Sequence, residues 1–188
     1  MFDEAIQKLQ VAGAVGVLPT DTVYGLVCRA ADETAVTRLY DLKHREGKPG
    51  TLIAANVEQL ADLGLKSRYL KAVEQFWPGA VSVIIPCSDP ALGYLHQGKY
   101  SLAVRIPDQP ALLKLLEKTG PLLTSSANHP GEAVANTVAD AEKYFGDSVD
   151  FYVDGGDLSG HEPSTVIRIV DDAIEILREG AVKIQENE

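Results

Sequence analysis

Cysteine and basic residues are both scarce in this sequence, and each shortage closes off a class of protein. The two cysteines, Cys28 and Cys87, stand far apart and form no Cys-x-x-Cys pair. A disulfide framework or zinc knuckle is therefore not expected, and both read as buried thiols. The four histidines, His44, His96, His129 and His161, are scattered. No His-Glu-x-x-His, Gly-x-Gly-x-x-Gly or Walker A lysine motif is present, so no metal centre built from protein side chains is expected. The stretch Gly47-Lys48-Pro49-Gly50-Thr51 has the residues of a phosphate loop in the wrong order. No apolar run approaches the ~18 residues of a membrane span. The first ten residues lack the basic start and apolar run of a signal peptide, which points to the cytoplasm. Lysine and arginine total 17 against 27 acidic residues, for a net charge of -10. That balance argues against salt-driven RNA binding by the whole surface, though not against a local basic pocket.

What is present suits a folded α/β protein. The chain has 188 residues, of which 45% are hydrophobic and 23% charged. A chain of this size buries roughly 70% of its unfolded surface. No repeat, low-complexity tract or linker breaks it, so residues 1–188 read as one domain. Short helices are expected at Asp3–Val11, after an Asp32 N-cap, at Val57–Leu63, Arg68–Phe76, Gln109–Lys118 and Val138–Phe145. Strands are expected at Ala14–Leu18, Val23–Ala30, Thr51–Ala55, Val81–Pro86, Ser101–Ile106, Pro121–Thr124, Phe151–Val153, Val166–Val170 and Ile174–Leu177. The last two read as a hairpin closed at Asp171-Asp172, and Asp89–Tyr100 as a long loop. This mixture gives an α/β or α+β domain with a mixed sheet.

Polar residues gather where strands end, the usual location of ligand sites in such folds. Thr20, Asp21, Thr22 and Tyr24 follow the first strand. Lys43, Arg45 and Lys48 lie where a helix gives way to a loop and can converge on an anion. Ser101 and Arg105 are four apart on one strand and share a face. If Arg105 is buried it needs a partner, either a structural or a substrate carboxylate, and the pattern leaves both open. Ser125-Ser126-Ala127-Asn128 follows another strand, Pro163-Ser164-Thr165 precedes one, and Arg178-Glu179-Gly180 closes the last. Each group by itself is equally compatible with a turn or a helix cap.

Taken in order, these groups resemble the YrdC/TsaC family of threonylcarbamoyl-AMP synthases. The likeness runs from about Val17 to Gly180 through PTDTVYGL at Pro19–Leu26, the K-x-R pair Lys43/Arg45, SLAVRIP at Ser101–Pro107, SSAN at Ser125–Asn128, PSTV at Pro163–Val166 and LREG at Leu177–Gly180. It is to the short, single-domain form. The resemblance implies a twisted sheet enclosing a concave, positively charged cavity. It implies that L-threonine, bicarbonate or CO₂, and ATP condense to threonylcarbamoyl-AMP and diphosphate. A separate transferase complex then uses the product to modify tRNA, with weak tRNA contact by the synthase conceivable. By resemblance Lys43, Arg45, Ser126 and Asn128 are the catalytic set. Ser101, Asn136 and Arg178 join Lys43, Arg45 and Asn128 around the nucleotide. Thr22, Tyr24, Arg105, Ser126 and Ser164 surround threonine, with Arg105 suited to its carboxylate. Mg²⁺ arrives on ATP. The loop Glu46–Gly50 is expected to close over ATP. The sequence departs from the family pattern at Glu46, Pro130, Asn136 and Glu179. Two other readings keep the fold and change the function: an RNA-binding or ribosome-maturation factor, and a carbamoyl-phosphate-using relative of hydrogenase-maturation domains.

Overall fold

The structure, a computed structural model, describes residues 1–44 and 47–184. Arg45 and Glu46, singled out above, lie outside the described residues.

The first helix α1, Asp3–Leu9, buries Ala5 and Leu9 and ends before Gly13. Strands β1, Val15–Pro19, and β2, Tyr24–Arg29, form an antiparallel pair in which nearly every residue is buried. Their near-continuous apolar runs suit strands covered on both faces. Asp32 caps α2, Glu33–Leu42, by accepting from the Ala35 amide at 3.0 Å, and its other oxygen accepts from the Gly13 amide at 2.7 Å. One side chain thereby starts a helix and ties it to the chain entering β1.

Beyond this lie β3 (Thr51–Ile53), α3 (Val57–Leu63), α4 (Ser67–Val73), β4 (Val81–Pro86), α5 (Gly93–His96), β5 (Ser101–Arg105), α6 (Pro110–Thr119), β6 (Leu122–Ser126), α7 (Val138–Phe145), β7 (Phe151–Tyr152), β8 (Thr165–Val170) and β9 (Ala173–Arg178). The segment expected to be a loop at Asp89–Tyr100 instead carries a 3₁₀ turn at Pro90–Leu92 and the short helix α5. Leu92 and Leu95 bury themselves there, and tertiary packing supplies what a four-residue helix cannot. Ser125 and Ser126 belong to β6 rather than to a following loop. Asp171 and Asp172 take positive φ of 50° and 65°, the geometry of a tight hairpin between β8 and β9.

The nine strands of the described residues form one mixed sheet in the order β7-β1-β2-β6-β3-β5-β4-β8-β9. Pairs β1/β7, β3/β5 and β4/β8 are parallel and the others antiparallel. Helices α1 and α6 pack with Leu18, Val27, Ile53 and Leu122 in one apolar cluster. Helices α2, α3, α4, α5 and α7 contribute to a second and larger cluster. The sheet is therefore an α/β layer filled on both sides, as the alternation of elements predicts.

Candidate active site

Register places small and hydroxylated residues side by side on the central strands. Thr51 pairs with Thr124 on one side and Ala103 on the other, and Ala103 pairs in turn with Ile84. Gly25 faces Ser126 across the β2/β6 pair. A Cβ on Gly25 would come within 2.6 Å of Thr124 Oγ1, so a larger residue there would crowd the floor. Over this row lies a cleft of about 250 Å³, also lined by Thr20, Thr22, Arg105, Ser164 and Arg178. A second cleft, of about 810 Å³, is lined by Tyr40, Asp41, Lys43, His44, Lys48, Asn128, Pro130 and Gly131. Ser126, the last residue of β6, lines both.

The first cleft holds two guanidinium groups. Arg105 is buried, and its Nη2 meets Asp21 Oδ1 at 3.1 Å, with side-chain exposures of 4% and 5%. The sequence left open which carboxylate Arg105 would find, and the fold supplies Asp21. The contact lies within ion-pair distance but lacks hydrogen-bond alignment, and Arg105 Nε has no hydrogen-bond partner among the described residues. Burial raises the Asp21 carboxyl above its ordinary 3.8, against the pull of the Arg105 cation. Burial likewise lowers the Arg105 guanidinium, and the Arg178 charge adds to that, against Asp21. Both shifts carry one meaning: desolvation outweighs the mutual attraction, and Arg105 and Arg178 repel. A negative charge beside both guanidiniums would offset their mutual repulsion.

Hydroxyl polarity in this cleft follows from proton bookkeeping. Thr20 Oγ1 donates its only proton to the Val23 carbonyl at 2.7 Å. It accepts from the Thr22 amide at 3.2 Å, so in its 3.0 Å contact with Thr22 Oγ1 it must accept again. Thr22 is thereby left with lone pairs, and it faces the cleft as an acceptor. At the far wall, Arg178 Nε and Nη2 donate to the Ser164 carbonyl at 3.1 and 2.7 Å, and Nη2 reaches Ser164 Oγ at 3.1 Å. Gly180 closes this wall, since a Cβ there would overlap the Pro163 carbonyl oxygen.

The second cleft is built on a buried lysine. Lys43 Nζ donates to the carbonyls of Ser126 and Asn128 at 2.7 and 2.6 Å and to Asn128 Oδ1 at 3.1 Å. Ser126 Oγ also donates to Asn128 Oδ1, at 2.6 Å, while Asn128 Nδ2 donates to the carbonyls of His129 and Glu132 at 3.1 and 2.9 Å. Lys43 thus shapes the turn that carries Ser126 and Asn128, and its charge lies beneath the cleft. Lys48 lines the same cleft and is exposed.

Four expected site residues stand elsewhere than the resemblance implies. Tyr24 is fully buried and lines neither cleft; its hydroxyl accepts from the Gly155 amide and donates to the Gly156 carbonyl, both at 2.8 Å. Ser101 shares the Arg105 face of β5 but does not line either cleft. Asn136 is exposed, lines neither cleft, and offers its carbonyl to the Leu158 amide at 2.8 Å. Arg178 stands with Arg105 and Ser164 in the first cleft, not with Lys43 in the second. Thr22, Arg105, Ser126 and Ser164 do converge on the first cleft, and Lys43, Ser126 and Asn128 on the second. Asp21 as the Arg105 partner and Ser82 beneath Ser164 were not singled out from the sequence. The signal for Ser82 was there: it is the lone hydroxyl in the apolar strand Val-Ser-Val-Ile-Ile.

Guanidinium groups line one cleft and lysines the other, and the two clefts meet at Ser126. The chain belongs to the Sua5/YciO/YrdC family, described as "Telomere recombination", whose model matches residues 8–180. A threonylcarbamoyl-AMP synthase of Klebsiella pneumoniae is 37% identical over 186 residues, covering 90% of this chain and 95% of the relative. The P. abyssi Sua5 structure complexed with L-threonine superposes with a TM-score of 0.82 at 30% identity; the match covers 94% of this chain and 53% of Sua5. E. coli YciO superposes with a TM-score of 0.81 at 25% identity, covering 96% of this chain and 89% of YciO. The chain thus spans about half the length of Sua5 and nearly all of the Klebsiella relative.

Proposed function

We propose that this protein is an L-threonylcarbamoyladenylate synthase, a nucleotidyltransferase acting in tRNA modification in the cytoplasm. One observation carries the reading: a guanidinium-and-hydroxyl cleft and a lysine cleft meet at Ser126. The names of the relatives, and the threonine held by a structural neighbour, agree with it.

In this reading the first cleft takes L-threonine. Arg105, Arg178 and the Ser164 hydroxyl receive the carboxylate, and Thr22, an acceptor, receives an amine N–H. The amine adds to CO₂ or bicarbonate-derived CO₂ and loses a proton, giving a carbamate. The second cleft takes the phosphates of ATP, with Lys48 beside them, Lys43 shaping the Ser126–Asn128 turn, and Arg45 contributing by family resemblance. A carbamate oxygen then forms a bond to the α-phosphorus while the bond to the bridging oxygen breaks, releasing diphosphate. Such a displacement needs alignment and charge neutralisation more than a protein nucleophile. Mg²⁺ enters as part of the ATP complex, held by phosphate and water. The described cleft linings, rich in hydroxyls, amide and cations with Asp41 as their carboxylate, suit the phosphate anion better than a bare metal ion. The product passes to a separate transferase complex.

The test is diphosphate release by purified protein with ATP, Mg²⁺ and bicarbonate, comparing L-threonine, L-serine and no amino acid. Release that requires threonine and bicarbonate, and that collapses in Arg105→Ala and Arg45→Ala, is the expected result. Release indifferent to threonine, or none, overturns the reading.

A further inference from the structure

The Ser164 hydroxyl faces a substrate cleft, yet its polarity is decided behind it. Ser82, on β4, is completely buried, and its Oγ lies 2.9 Å from Ser164 Oγ. That contact is the only hydrogen bond of the Ser82 hydroxyl among the described residues. A buried hydroxyl proton without an acceptor is costly, so the Ser82 proton goes to Ser164. Arg178 Nη2 donates to the same oxygen at 3.1 Å. Both lone pairs of Ser164 Oγ are then occupied. Its own proton is left for the cleft, where Arg105 also lies.

We infer that Ser82 is a positioning residue that fixes Ser164 as a hydrogen-bond donor, so that this end of the cleft selects a carboxylate over a neutral amide. The inference rests on the reading of this cleft as the threonine site. It mirrors the other wall, where Thr20 fixes Thr22 as an acceptor. Donor at one end and acceptor at the other give an α-amino acid a single orientation. A carboxamide in place of the carboxylate brings its own N–H groups, which meet a donor if they approach Ser164. Without Ser82, the Ser164 hydroxyl can rotate its proton away and accept from such a group, and part of the discrimination is lost.

The experiment is calorimetric titration of the intact protein with L-threonine, L-threoninamide and ATP. Wild type should bind threonine far more tightly than threoninamide. Ser82→Ala should reduce the ratio of the two dissociation constants roughly tenfold, the worth of one hydrogen bond to a charged group, and leave ATP affinity unchanged. Ser82→Cys, close in shape and a poor donor, should do the same, and Ser82→Thr should restore the ratio. In a Ser164→Ala background, the Ser82→Ala change should have no further effect on it. An unchanged ratio in both Ser82→Ala and Ser82→Cys, or an equal loss of affinity for all three ligands, overturns the inference while leaving the synthase reading standing. Wild type that binds no threonine overturns both.

Discussion

Removing Asp21 strands the Arg105 guanidinium in the protein interior. The two side chains are almost wholly enclosed and meet at 3.1 Å. Deleting one partner of a buried pair costs ~3–5 kcal/mol, because the remaining charge keeps its desolvation cost and loses its counter-charge. The pair lacks an aligned hydrogen bond, so Asp21→Ala is expected at the lower end, about 3 kcal/mol. With a urea slope of about 2 kcal/mol/M, the unfolding midpoint falls by about 1.5 M. Burial works against the charged form of both groups, and replacing such a buried pair by apolar residues of similar size is often neutral. The double variant Asp21→Leu/Arg105→Met should therefore return to within about 1 kcal/mol of wild type and no longer bind threonine. Far-UV circular dichroism in urea on the wild type, Asp21→Leu, Arg105→Met and the double variant measures this cycle, with Asp21→Ala alongside. A midpoint loss in Asp21→Ala of less than about 0.5 M, or a double variant as unstable as the sum of the singles, refutes the reasoning. The pH dependence adds a check. The folded Asp21 carboxyl titrates above its ordinary 3.8, so the folded protein holds this proton more tightly than the unfolded chain. Its contribution to stability is complete below pH 3.8 and is lost as pH rises through the raised folded value. Asp21→Asn should abolish that part of the profile.

Tyr24→Phe removes one hydroxyl that both accepts from Gly155 and donates to Gly156. It should cost about 1–2 kcal/mol in thermal or urea unfolding and leave the Michaelis constants for threonine and ATP unchanged. Lys43→Met breaks three contacts to Ser126 and Asn128. It should lower both stability, by about 2–3 kcal/mol, and ATP affinity, read by calorimetry, whereas Lys48→Met should lower ATP affinity alone. At Asp150, burial raises the carboxyl, but the Val15 amide and Arg38 more than offset it, so the folded value lies below 3.8. The stability it adds is present above pH 3.8 and is lost as pH falls through the folded value. Asp150→Asn should flatten the acid limb of a thermal-midpoint-against-pH curve.

The sequence by itself determined the family, most of the strands and most of the helix starts, though not α5 or the end of β6. Asp32 before an apolar helical stripe, Gly13 after the first helix and Asp171-Asp172 between two strands are local signals, and local geometry obeyed them. The motif order from Pro19 to Gly180 also names Arg105, Ser126 and Ser164, which the fold brings to the lining of one cleft. Only the tertiary structure decided what those residues face. Tyr24 sits two residues from Thr22 in a run that reads as a single motif, yet Thr22 lines the cleft while Tyr24 is fully buried and lines neither cleft. Arg178 reads as a nucleotide contact at the end of a strand, but the β8/β9 hairpin brings it onto Ser164. Asp21, 84 positions before Arg105 in the numbering, became its partner, and Ser82 came to lie under Ser164 across the parallel β4/β8 pair. The physical reason is the same in each case. Propensity, capping and turn chemistry act over a few residues and are written in the chain. Sheet order and register join distant strands, and they alone decide which polar groups find a partner and which are left facing a ligand.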